Sequence, residues 1–370
     1  MNRAHIITCQ SYDDYDFFIA QGFAGLYPIE VNKDGMHSPP TKKLGAKIGT
    51  NWDIIADLKR VKPGDYIFLH VIGDAKIYGP FVATTFFLES PLMPHAFKSV
   101  NLNIDYWRRK YKKPNYRVSY PWRVGIKSIK GKTKQKGFNS LELFKLKSTG
   151  LIHSLPERFI YHDKPKIVKP LLTHETETIL SLLAGVRSRP LTVRENSLRG
   201  YKAISLHIDE YDGELYREKI LEAWLMENVT LNGANNLQYE NIKSVFGDIQ
   251  HFVNSIFTYY TNFMDVLFYN EGTDAEEEYC KECGKYTSKR KTNICVVELK
   301  KGRVDIGALS QLREYGDWAL KSLANNDCKK VKLYAVGARF DEGVLENKDI
   351  YCIRYSFVDR AHFLKFQKIN

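Results

Sequence analysis

The chain has 370 residues, 44% hydrophobic and 26% charged, which excludes a disordered polypeptide and exceeds what one hydrophobic core usually organises, so two domains are expected. No run reaches the roughly eighteen apolar residues of a membrane span, the opening MNRAHIITCQ lacks a signal-peptide layout, and six scattered cysteines are too few for a disulfide framework, so a cytoplasmic protein with reduced thiols and no membrane partner is expected. The formal net charge of +12 is local, because residues 101–150 hold 14 Lys+Arg against 2 Asp+Glu and the remainder balances.

Along the chain, short apolar strands alternate with turns at first. His5 to Cys9 reads as a strand, Asn51 to Arg60 as a helix, and Lys62-Pro63-Gly64-Asp65 as a turn into a strand from Tyr66 to Ile72. Strands from Lys76 to Phe87 and from Arg123 to Ile129 complete a small α+β domain around a curved sheet. The basic segment lies within it. Arg108, Arg109, Lys110, Lys112 and Lys113 are interleaved with Tyr106, Trp107, Tyr111 and Tyr116, the residue types that phosphate contact plus base stacking require. A solvated lysine-rich loop is the plainer alternative, yet the balance of the other residues favours nucleic acid.

Leu141 to Gly185 reads as mainly helical, and Ser188 to Gly200 as a polar linker. The expected organisation is therefore a reader domain over 1–140, a helical connector over 141–200 and a second domain over 201–370. That domain opens with a helix from Leu215 to Glu227. Then come an apolar stretch from Phe257 to Tyr269, a polar insertion from Asn270 to Thr292, a strand from Ile294 to Leu299, an amphipathic helix from Val304 to Leu323 and a strand from Val331 to Gly337, an α/β layout with a mixed central sheet.

Asp265 sits alone in an apolar strand, and Glu298 and Lys300, two residues apart, share one face of another. Such charges need a compensating cation or ion pair when buried. Two carboxylates on Mg²⁺ (or Mn²⁺), with an ammonium beside the attacking water, are what phosphodiester hydrolysis needs. A chance E-x-K at a strand end is the plainer alternative. Here Glu298-Leu299-Lys300 is followed by Gln311-Leu312-Arg313-Glu314-Tyr315 on a helix. The segment from about Leu215 to Gly337 resembles the PD-(D/E)XK nucleases, particularly archaeal mismatch endonucleases of the NucS type. The resemblance implies that Asp265 and Glu298 hold the metal, that Lys300 assists the water, that Gln311 completes the site, and that the opening helix adds Glu218, or alternatively Glu222. It departs from the family's pattern in the 33 positions between Asp265 and Glu298.

Within the insertion, Cys280 and Cys283 have the spacing of half a zinc ribbon. Zinc needs four ligands and no second pair follows, so zinc is not favoured unless another subunit completes the site.

In the first domain, Lys62 to His70 followed by Ile77 to Thr84, with Tyr120-Pro121-Trp122-Arg123-Val124 closing it, resembles the EVE or YTH-like domains of the PUA superfamily. Those domains hold a flipped, modified base between aromatic rings. By position the candidates are Ser11, Tyr12, Tyr27, Asn51, Trp52 and His70, with a core role as the alternative for Trp52 and Tyr27. The two resemblances imply a PUA-like curved β-barrel with helices followed by a restriction-endonuclease-like mixed sheet flanked by helices. The expected activity is that of an Mg-dependent endodeoxyribonuclease acting on double-stranded DNA with modified bases, as a homodimer if both strands are cut. A mismatch- or structure-specific repair endonuclease and a non-catalytic nucleic-acid-binding protein are the alternatives.

Overall fold

The computed structural model describes residues 3–9, 11–26, 55–89, 120, 122–129, 134–155, 168–185, 189–190, 193, 198, 200–204, 210–211, 213–215, 217–229, 237–258, 263–280, 285–358 and 363–370, with backbone alone at 89, 134–136, 189–190, 210–211, 255, 257, 270–280 and 285–292. The chain is mixed α/β and divides into two compact units, Asn2–Ser205 and Leu206–Asn370.

The first unit is built on a ten-stranded sheet: β1 (Ala4–Cys9), β2 (Phe23–Leu26), β3 (Tyr66–Val71), β4 (Lys76–Ala83), β5 (Leu88–Glu89), β6 (Trp122–Ser128), β7 (Lys134–Asn139), β8 (Val168–Leu171), β9 (Arg189–Pro190) and β10 (Lys202–Ala203). Its main path runs β10-β5-β6-β4-β3-β1-β8, with β1 and β3 parallel. All six residues of β1 are buried, because the strand is covered on both faces. On one side Ile7, Cys9, Ile67 and Leu69 pack with Phe18 and Ile19 of α1 (Tyr12–Gln21). On the other, Ile6 and Phe68 pack with Leu143 of α3 (Glu142–Ser148) and with Ile179 and Leu183 of α4 (Thr173–Ala184), while α2 is the short helix at 55–60.

The sheet curls where β4 changes partner. Lys76 to Gly79 pairs with β7 and Phe81 to Ala83 with β6, and the register against β3 shifts between Ile67 and Leu69. Gly79 sits at that break with φ of 132°, and an added Cβ would lie 3.0 Å from the Ile67 carbonyl oxygen, so the bend requires glycine. The expected long strand from Lys76 to Phe87 accordingly stops at Ala83. Residues 141–200, expected as a connector, lie within this unit, and β8 pairs with β1. The Glu175 carboxylate ties the segment down by accepting the backbone N–H groups of Leu172, Ser154 and His153 at 2.7, 2.7 and 2.6 Å.

The second unit carries α5 (Glu218–Asn228) and α6 (Leu237–Phe246) ahead of its main strands, preceded by the short pair β11 (Glu210–Tyr211) and β12 (Glu214–Leu215). Then come β13 (Ile249–Phe257), β14 (Phe263–Cys280), β15 (Lys285–Leu299), β16 (Arg303–Val304), α7 (Ile306–Ser322), β17 (Val331–Gly337), β18 (Arg339–Phe340), α8 (Glu342–Leu345), β19 (Ile350–Val358) and β20 (Phe363–Lys368). The six-stranded sheet has the order β13-β14-β15-β17-β19-β20. Its first three strands are antiparallel, β15, β17 and β19 are parallel, and β20 closes antiparallel.

Helix α7 starts at Asp305, whose carboxylate accepts the N–H of Ala308 at 2.8 Å, and crosses from β15 to β17 with Gly316 against Leu333. Phe246 of α6 packs against Phe268, Tyr334 and Phe366. Residues 270–280 and 285–292, expected as part of an insertion, form the outer part of β14 and β15, paired out to Cys280 opposite Lys285 with one irregularity between Glu271 and Ala275. Ladder hydrogen bonds join backbone to backbone, so a polar ribbon pairs without the apolar pattern by which strands are recognised in sequence.

Candidate active site

The second unit gathers four carboxylates and two ammonium groups at the junction of α5, β14 and β15. Val266 pairs with Val297, so Asp265 and Glu298 occupy the next position along each strand. The 33-residue separation is taken up by the paired ribbon, which brings them back together. Asp265 Oδ2 accepts the backbone N–H of Leu299 at 2.9 Å. Lys300 Nζ lies 2.5 Å from Glu298 Oε1 and 3.9 Å from Glu218 Oε2. Lys219, one residue into α5, pairs with Glu222 and lies 3.9 Å from Asp265 Oδ1. The other Glu222 oxygen accepts from Asn254 of β13.

Burial decides the electrostatics. Glu222 and Glu298 are 1% and 2% exposed, and Asp265 is 9% exposed. Burial first, then the neighbouring Glu298 charge, pushes the Asp265 carboxyl well above the ordinary range. Glu298 is raised to about 6, again by burial, against the pull of Lys300. Glu218 is also raised, by burial more than Lys300 lowers it. Burial alone would lower Lys300, but Glu298 and Glu218 hold it above the usual lysine value. Perturbed carboxylates around a charged lysine are a common sign of a chemical site.

Glu298 Oε2 is buried with no hydrogen-bond partner among the described residues. Carboxylate oxygens are hard donors suited to Mg²⁺ or Mn²⁺, and an unbonded buried one is costly unless a cation meets it. Asp265 and Glu298 thus present the donor chemistry that a hard divalent ion takes. Among the described residues no three acidic, histidine or cysteine side chains already converge as a ready metal cage. Lys219 and Lys300 stand among the carboxylates instead.

Gln311 of α7 donates to the Tyr315 hydroxyl at 2.5 Å, and that hydroxyl donates to the Phe263 carbonyl at 2.8 Å. Gln311 thus positions Tyr315 against the strand that carries Asp265. Sequence reasoning passed over Lys219 and Asn254. The only signal for Lys219 was its place three residues before Glu222 on a helix, a spacing that reads equally as a solvated surface pair.

In the first unit, Ser11 is spent on structure. Its hydroxyl caps α1 by accepting the Asp14 N–H at 3.2 Å, and Asp14 returns a bond to the Ser11 N–H at 3.1 Å. Tyr12 is 47% exposed, its ring 5.3 Å from Tyr15 and 6.1 Å from Tyr78. His70 is buried in β3 and held neutral, its pKa lowered to about 3 by burial and then by Lys169. Tyr27, Asn51, Trp52, Arg108, Arg109, Lys110, Lys112, Lys113 and Cys283 lie outside the described residues, and Cys280 is described by its backbone alone, opposite Lys285. Among the described residues no helix is long and apolar enough to cross a membrane.

No protein-family model matches the chain, and no curated protein matches it. Among solved structures it is similar to the human THYN1 protein in complex with DNA containing 5-methylcytosine, at 12% identity and a TM-score of 0.27, over 50% of this chain and 100% of that one.

Proposed function

We propose that the chain is a divalent-metal-dependent DNA endonuclease whose second unit hydrolyses phosphodiesters and whose first unit selects modified DNA. One observation carries the nuclease reading. Two helices, three antiparallel strands, a crossover helix and a parallel strand bring Glu218, Asp265, Glu298 and Lys300 from distant positions to one place. The reading also rests on the PD-(D/E)XK resemblance of residues 215–337 in sequence.

Asp265 and Glu298 would hold the cation, which when bound neutralises phosphate charge and acidifies water. Asp265 is oriented for this by the Leu299 N–H. Lys300, kept protonated by Glu298, would donate to a water or a phosphate oxygen beside the same carboxylate. Tyr315 and Gln311 brace the base of β14.

The selective role of the first unit rests on the EVE/YTH-like sequence pattern and on Tyr12, a candidate that presents a half-exposed ring next to two further tyrosines. A ring so placed can stack on an extruded base. Cleavage of plain, mismatched and modified duplexes by wild type and Glu298→Gln, with Mg²⁺, with Mn²⁺ and with chelator, tests the reading. Metal-dependent cleavage of modified DNA that Glu298→Gln lacks is the expected result, and cleavage that persists in chelator or in Glu298→Gln would remove it.

A further inference from the structure

We propose that Lys219 is the resident counter-cation of this carboxylate cluster, standing at the oxygen a divalent ion needs and thereby setting the metal concentration at which the site fills. The inference rests on the metal-site reading above and adds its regulation.

The two ammonium groups lie differently among the four carboxylates. Lys300 lies 2.5 Å from Glu298 and 3.9 Å from Glu218, and Lys219 pairs with Glu222 and lies 3.9 Å from Asp265. Their positions differ in consequence. Asp265 Oδ2 is committed to the Leu299 N–H, so Oδ1 is the oxygen through which Asp265 would bind a cation. Oδ1 is the atom that Lys219 faces at 3.9 Å. That distance is a Coulombic contact and too long for a hydrogen bond, whereas Lys219 is close-paired to Glu222. Glu222 in turn is held by Asn254, which fixes the anchor.

With its side chain 29% exposed, Lys219 has room to withdraw from Asp265 along its flexible stem. A divalent ion arriving at Asp265 and Glu298 meets a like charge nearby in partly buried surroundings, where repulsion is strong. The metal-free site is therefore held together by lysine, and the metal must displace part of that pairing.

The test is Mn²⁺ binding to the full chain without DNA, followed by calorimetry and by loss of the free-ion electron paramagnetic resonance signal. Lys219→Met should bind Mn²⁺ tighter by about tenfold or more, because the competing charge is gone. Lys219→Arg, which keeps the charge, should bind like wild type. Lys219→Gln, able to donate to Glu222 while neutral, repeats the measurement should the methionine variant fold poorly, and melting curves check both. Unchanged or weaker binding in the neutral variants, with wild type still binding Mn²⁺, overturns the role of Lys219 and leaves the metal site standing. No binding by wild type or by any variant overturns the metal site itself and this inference with it.

Discussion

The Asp265 carboxylate accepts the backbone N–H of Leu299, the residue between Glu298 and Lys300. One hydrogen bond thus fixes an acidic group of β14 against the end of β15, which carries Glu298 and is followed by Lys300. A backbone N–H bond to a buried carboxyl group is strongly oriented. The spacing between Asp265 and the Glu298–Lys300 pair is therefore a property of the backbone rather than of mobile side chains.

On the proposed nuclease reading, Glu298→Gln and Lys300→Ala should each lower DNA cleavage by at least about a hundredfold while leaving DNA affinity within a few-fold of wild type, since Glu298 would hold the cation and Lys300 would assist the water. Asp265→Asn keeps a side-chain oxygen that can accept from Leu299 but loses the anionic charge, and should lose cleavage with little loss of folding. Single-turnover cleavage alongside binding measured in chelator checks all three. Full activity in either Glu298→Gln or Lys300→Ala would end the catalytic assignment.

Glu298 also predicts a pH effect on stability in the metal-free protein. Its folded-state pKa is raised from 4.5 to about 6, so between those values the native state binds more protons than the unfolded chain. Stability contributed by this group then falls as pH rises through that window, and the cost is full above it. Glu298→Gln removes the titration, so its melting temperature relative to wild type should rise from pH 4.5 to pH 7. A difference that stays flat over that range would mean Glu298 is not held as a raised carboxyl.

What could be read in the sequence was the part with an apolar pattern. β1, β3 and the inner part of β15 are buried runs, and α7 has an apolar face, so each announced itself. β8 did not, because Val168-Lys169-Pro170-Leu171 carries a lysine and a proline. It lies at one end of the sheet order, where a proline costs no ladder bond on its open side. The outer parts of β14 and β15 read as a polar insertion, since backbone ladder pairing leaves no apolar pattern in the sequence. Glu298 and Lys300 were legible through a local spacing. Lys219 and Asn254 were not, since their roles arise from contacts across elements.

Neutralising Arg108, Arg109, Lys112 and Lys113 together should weaken DNA binding and flatten its salt dependence. Each lost phosphate contact removes about 0.9 from the slope of log affinity against log salt on duplex DNA. Filter binding or anisotropy between low and moderate salt measures this directly. An unchanged slope would place the basic segment in solvent and move the grip elsewhere.

Ser11 and Tyr12 are neighbours in sequence with opposite assignments, and their variants should separate. Ser11→Ala removes the helix cap seen at Asp14, costing about 1 kcal/mol and a few degrees of melting temperature. It should leave the preference for modified DNA intact. Tyr12→Ala removes a ring that is 47% exposed, so melting should move little. If the ring stacks on an extruded base, affinity for modified DNA should fall by roughly 1–3 kcal/mol while affinity for plain DNA holds. Melting curves paired with competition between modified and plain duplexes distinguish the two variants. Loss of discrimination in Ser11→Ala, or its retention in Tyr12→Ala, would take the base contact away from the start of α1.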